Sequence, residues 1–322
     1  MQIPTLRDIL EARKTIAPYI NRTPLTSYAS LNKFVGAEVF LKHENHHPLG
    51  AFKVRGGINL LANLSEEQRR CGLITASTGN HGQSVANACM IFNTKAIVVV
   101  PRNANPLKVR SMKNLGAHVL FHGDNFDEAR EHGERLAKEE GYRYVHAGNE
   151  PLLIAGVATY VIEIIEDLPD VEYIIVPFGG GSGAAGAIIV TNSVNSDIRV
   201  VAVQSEQASA GYLSWKGREI VEAPMNTIAE GLATKMGYAI PQSIISDKLY
   251  DFVLVTDEQI ARSIAILLEK AHTLAEEAGA AALAGAIKMK SELKGKKVVV
   301  VVSGSNITLD RLENALRLYK DD

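Results

Sequence analysis

The chain has 322 residues, 46% hydrophobic and 22% charged, with a formal net charge of -2. That length suits two domains of ordinary size around a large core, and the composition argues against disorder. The charge balance argues against nucleic-acid or anionic-membrane partners, which need a basic excess, and two cysteines, Cys71 and Cys89, exclude a disulfide framework or a four-cysteine zinc site.

The opening MQIPTLRDILEARKTIAPYI mixes charges into its apolar positions. It lacks a signal-peptide core and reads as a short coil or strand leading into an amphipathic helix. The longest apolar run elsewhere, KVVVVVSG, is too short to span a bilayer, so a cytoplasmic protein without a membrane partner is expected. Strands are predicted in AEVFLKHE, GLITAS, KAIVVVP, AHVLFHG, EYIIVPF, IRVVAVQSE and KKVVVVVSG. Between them lie helical patterns such as FDEAREHGERLAKEE (126–140) and TDEQIARSIAILLEKAHTLAEEAG (256–279). Apolar strands alternating with helices predict an α/β protein with open, mainly parallel sheets. No repeat, low-complexity tract or obvious linker interrupts the chain. Ligands of such sheets bind at the carboxyl ends of strands, which directs attention to four loops.

The first, Gly50-Ala51-Phe52-Lys53-Val54-Arg55-Gly56-Gly57, puts a lysine between glycines. Flanked by Phe52 and Val54, its amine can lose water, drop in pKa and become able to form a Schiff base; an exposed lysine at a helix start is the plainer reading. The second, Ser77-Thr78-Gly79-Asn80-His81-Gly82, offers hydroxyls, an amide and helix-start N–H groups suited to a carboxylate, and reads equally as a helix cap. The third, Gly179-Gly180-Gly181-Ser182-Gly183, joins strand to helix and reads as a phosphate cradle or as a tight turn packing the helix onto its strand. Gly181 to Gly186 also match G-x-G-x-x-G, and Glu206 ends the next strand, so this segment alone reads as the nicotinamide-dinucleotide site of a dehydrogenase. The fourth is Ser303-Gly304-Ser305-Asn306.

Taken together, KHENHHPLGAFKVRGG, ITASTGNHGQSVA, VPFGGGSGAAG, EEAGAAALAG and VVVSGSN resemble, in order, the fold-type II pyridoxal-phosphate (PLP) enzymes of the threonine/serine dehydratase and serine racemase family. The resemblance covers nearly the whole chain. It implies a tryptophan synthase β-like fold, with residues 1–49 and 150–322 as the larger PLP-binding domain and 50–149 as a smaller mobile one. It implies that Lys53 holds the cofactor as a Schiff base and that Phe52 packs beside it. Asn80 then hydrogen-bonds the ring 3′-oxygen, Gly179, Gly180, Gly181, Ser182 and Gly183 hold the phosphate, and Ser303 meets the pyridine nitrogen. Ser77, Thr78, Asn80 and His81 surround the substrate carboxylate, and Glu276 lies near the cofactor's far side. Lys53 and Thr78 are the catalytic candidates. The implied reaction removes water and ammonia from a β-hydroxy amino acid, with serine racemisation as runner-up, in a homodimer. A serine at the pyridine nitrogen leaves PLP a weaker electron sink, which favours elimination over transamination.

The chain departs from the family at Ala51, where serine is usual, at Leu49, where threonine is common, and at His46 and His47. These changes point to a side chain less standard than threonine's. Thr78 stands where serine racemase has serine, which disfavours racemisation. Glu206 matches the start of the family's cation site but QASAGY lacks its aspartate, so Mg²⁺ or Ca²⁺ is left uncommitted. A regulatory domain, and with it feedback inhibition by isoleucine, is not expected.

Overall fold

The computed structural model describes residues 2–319; Met1 and residues 320–322 lie outside the described residues. The opening pattern forms the helix Leu6–Ile16, started by a capping box in which Thr5 and Asp8 satisfy each other's backbone N–H. The strands are β1 (Leu25–Ser27), β2 (Glu38–Lys42), β3 (Leu73–Ala76), β4 (Ala96–Val100), β5 (His118–Phe121), β6 (Arg143–Tyr144), β7 (Tyr173–Pro177), β8 (Arg199–Ser205), β9 (Asp251–Val255) and β10 (Lys297–Val301).

They build the expected α/β class with two open sheets. One runs β1-β2-β10-β7-β8-β9 and is parallel except for β1; the other runs β5-β4-β3-β6 and is wholly parallel. Alternation explains why the strands read as unbroken apolar runs. In β10, Val298 and Val300 pack in one core with the helices Asp257–Ala271 and Glu277–Lys288, while Val299 and Val301 pack in another with Pro151–Asp167 and Ser182–Val194. Both faces of the sheet are covered, so both parities must be apolar.

The helix Lys53–Ala62 packs against Asn80–Ile91 on one side and Pro151–Asp167 on the other. Its two glycines permit that approach. A Cβ on Gly56 would lie 2.8 Å from the Leu153 carbonyl oxygen, and one on Gly57 would lie 2.3 Å from Ser84 Oγ. The 256–279 pattern corrects to two helices, because His272 turns left-handed (φ 53°) after Ala271 and Glu276 caps a new helix. No described helix is long and apolar enough to cross a membrane.

Candidate active site

β2, β3, β7 and β10 all point their carboxyl ends at one cavity of about 360 Å³. All four singled-out loops contribute to its lining, as do Glu276 and every candidate residue from Phe52 to Ser303. A second cavity, of about 460 Å³, opens between the helices Asp257–Ala271 and Glu277–Lys288 and touches none of these loops.

Lys53 is fixed by backbone pairing. Phe52 N donates to Ser303 O at 3.0 Å and Ser305 N donates to Gly50 O at 2.8 Å, so the lysine loop and the β10 loop form one unit. Lys53 Nζ donates to Ser182 Oγ at 2.9 Å and lies 5.1 Å from the centre of the Phe52 ring. It has no carboxylate partner among the described residues, and burial alone lowers its pKa to about 8. Its amine therefore sits against the start of the helix Ser182–Val194.

That helix start is a built anion cradle. Gly181 takes the left-handed conformation (φ 83°) as its cap, and no acid occupies the first turn. The first N–H groups of a helix have no intrahelical acceptor and carry the positive end of its dipole. The loop is squeezed as well: a Cβ on Gly179 would lie 2.1 Å from the Gly231 carbonyl oxygen. Thr234 adds a buried hydroxyl without a partner to the same cavity. A phosphate fits these donors.

The Ser77–His81 loop lines the cavity with all of its residues, and part of it also holds the turn. Ser77 Oγ accepts from Gly79 N at 3.2 Å and Gly82 N at 2.9 Å, so it shapes the turn. The His81 ring is buried: Thr75 Oγ1 donates to Val145 O at 2.8 Å and so accepts from His81 Nε2 at 3.0 Å. Burial, then the neighbouring Lys53, lowers His81 to about 3, and its neutral ring leaves Nδ1 unpartnered. What this loop offers a carboxylate is its helix-start N–H groups and Thr78, whose hydroxyl makes no protein hydrogen bond among the described residues.

Asn80 Oδ1 accepts from Asn306 Nδ2 at 2.8 Å, and Asn80 Nδ2 donates to Glu276. Glu276 also faces Lys108 Nζ at 3.6 Å. Lys108 donates to Glu230 at 2.7 Å. Lys108, Glu230 and Thr234 line the cavity although no motif marks them. A lysine within a polar-looking helix and an irregular 225–238 segment carry no local signal; only tertiary packing brings them in.

Several sequence departures lie elsewhere. Ala51 is buried against Gly304, Leu49 packs beside Ile16, Val54 and Ile58, His46 stacks on His43, and His47 lies 3.3 Å from Glu44 Oε2. None lines the cavity, so they give no reason to expect an unusual substrate. Glu206 is exposed and does not line the cavity, so it is not placed to meet a ribose there, while Gly186 packs on Ala158 as a helix-packing glycine. Among the described residues no group of three or more His, Cys, Asp or Glu is placed to hold a metal.

The pyridoxal-phosphate dependent enzyme family matches residues 16–304. The chain is 40% identical over 313 residues to an L-threonine ammonia-lyase of Thermotoga maritima, covering 97% of this chain and 78% of that protein. It is 32% identical over 312 residues to an L-threo-3-hydroxyaspartate ammonia-lyase of Saccharomyces cerevisiae, covering 97% and 96%. Among solved structures, maize serine racemase superposes with a TM-score of 0.92 at 31% identity, covering 98% of both chains.

Proposed function

This chain belongs to the pyridoxal-phosphate dependent enzyme family, and on that premise we infer that it eliminates water from a β-hydroxy amino acid such as threonine or serine, the released enamine then taking up water to give a 2-oxo acid and ammonia. It is an ammonia-lyase. The observation that carries the reading is a lysine with lowered pKa and no counter-ion, facing the glycine cradle across one cavity.

PLP, when bound, supplies the electron sink that makes the substrate Cα proton acidic. The protein does the rest. Lys53 Nζ would hold the cofactor covalently at rest, and once the substrate amine had displaced it the freed Lys53 amine would be the base that takes the Cα proton. Gly179 to Gly183 hold the phosphate, with the Thr234 hydroxyl beside them. Phe52 would pack against the ring, Asn80 would donate to its 3′-oxygen, and Ser303 would meet its nitrogen without imposing a charge. Thr78 and the helix-start N–H groups of the Ser77–His81 loop receive the substrate carboxylate, with Ser77 holding the turn. Residues 1–49 and 150–322 act as the larger unit and 50–149 as the smaller one, which closes over the substrate. The enzyme works as a cytoplasmic homodimer; its mass in solution tests the dimer.

Charge narrows the substrate. Lys53 and Lys108 are the cations lining the cavity among the described residues, and Lys108 is committed to Glu230 and Glu276. A second substrate carboxylate would lack an unpaired cation, so threonine and serine are favoured over 3-hydroxyaspartate. The test supplies each amino acid to the purified enzyme and measures ammonia and oxo acid. Threonine or serine turnover, abolished by Lys53→Ala, is expected. Turnover of hydroxyaspartate alone would keep the reaction and overturn the substrate. Serine racemisation is the second reading, favoured by the likeness to maize serine racemase; a chiral assay on serine measures it.

A further inference from the structure

The amide of Asn80 can be oriented without ambiguity by following its partners. The Leu49 carbonyl can only accept, so the atom of Asn306 that reaches it, at 2.9 Å, is Nδ2. The same Nδ2 gives its other hydrogen to Asn80 Oδ1 at 2.8 Å. Asn80 must therefore turn Nδ2 toward Glu276, and one of its two hydrogens is used there. The remaining N–H belongs to an amide that lines the cavity. This arrangement requires Glu276 Oε1 to act as an acceptor.

Glu276 is 2% exposed, and a buried carboxylate needs a partner held close to it. Lys108 supplies the cation, 3.6 Å from the second carboxylate oxygen. It is itself buried, on the helix Pro106–Asn114, and its Nζ lies 3.6 Å from where a Cβ of Gly79 would stand. Its other partner, Glu230, has a second cation of its own, since Arg311 lies 3.0 Å away. Removing the Lys108 charge would thus leave Glu230 paired and strip Glu276.

We propose that Lys108 is a positioning residue: through Glu276, and with Asn306 holding the opposite end, it fixes the Asn80 amide so that one N–H is presented to the oxygen of the cofactor ring. The proposal rests on the reading of Asn80 as that donor. It assigns Lys108 no contact with substrate. It also explains why Glu276, in a break between two helices, reaches the site without facing the reacting atoms.

The test is the absorption spectrum of PLP-loaded enzyme, which reports the state of the ring oxygen, together with cofactor affinity. Lys108→Met is expected to change the proportion of the two cofactor absorption bands and their pH dependence, and to weaken PLP binding about tenfold, the effect of one lost charged hydrogen bond. Lys108→Arg is expected to restore the wild-type bands. Asn306→Ala leaves every charge in place and is expected to give the same spectral change, so a poorly folding Lys108→Met does not stop the test. Wild-type spectra and affinity in both Lys108→Met and Asn306→Ala, with only turnover reduced, would overturn the proposal alone. A wild-type protein that stays colourless with added PLP would overturn the cofactor assignment with it.

Discussion

Lys53 shows how one residue's surroundings set its chemistry. An ordinary lysine titrates near 10.4, so less than about one amine in a thousand is neutral at pH 7. Burial lowers Lys53 to about 8, which raises that share to roughly a tenth. Only the neutral amine attacks an aldehyde, so cofactor-free enzyme should load PLP faster as pH rises, levelling off above about 8. Stopped-flow absorbance between pH 6 and 10 measures the profile; a rate still climbing steeply at pH 10 would mean that the amine is solvated. The motif made this lysine legible, because glycines and aromatic residues beside a strand end are visible in the sequence. The division of roles inside Ser77–His81 was not legible. Whether Ser77 faces ligand or its own turn, and whether His81 shows its ring or its backbone, depends on Thr75 and Val145, whose approach is set by the fold.

The helix that begins with Lys53 owes its placement to charges two residues further on. Arg55, 1% exposed, donates from Nε to Glu44 at 2.7 Å and from Nη1 to Glu163 at 2.7 Å, while Lys42 Nζ reaches Glu163 at 2.6 Å. Burial opposes ionisation of Glu44, but Arg55 and then His47 hold its carboxyl well below the usual range. This cluster ties the helix Lys53–Ala62 to β2 and to the helix Pro151–Asp167. Arg55→Met would leave two buried carboxylates short of cations, at about 3–5 kcal/mol, and let the helix start drift. The expected result is a much lower denaturation midpoint with weaker PLP retention. A variant of wild-type stability would show that water already reaches the cluster. Sequence periodicity could place the helix but not this anchor, since Arg55 looks like any polar helical residue. Periodicity failed differently at 272–276, where the helical pattern runs on without glycine or proline although His272 turns the backbone out of the helix. That break is what brings Glu276 to the cavity.

Across the whole molecule the two parallel sheets were legible because strands covered on both faces must be apolar at every position, whereas their joint cleft was legible only through the loops at strand ends. Three histidines held largely out of water lie in different parts of the fold: His43 after β2, His81 after β3 and the half-buried His146 after β6. Burial lowers His43 and His146 to about 4 and His81 to about 3, while in an unfolded chain each titrates near 6.5. Between those values the unfolded chain binds more protons than the folded one, so stability falls as pH falls. Above about pH 7 all three are neutral in both states and contribute no slope. As pH drops through 6.5 toward 4, each withdraws up to roughly 1.4 kcal/mol per pH unit. Urea denaturation at pH 8, 7, 6 and 5 should give a plateau and then a steep fall, well before the carboxylates titrate. His43→Asn should remove part of the slope, the rest being carried by His81 and His146 and by His46 and His132, whose pKa values folding also lowers. An unchanged midpoint from pH 7 to pH 5 would show that the imidazoles take up protons in place, and that this fold admits water where its packing says it should not.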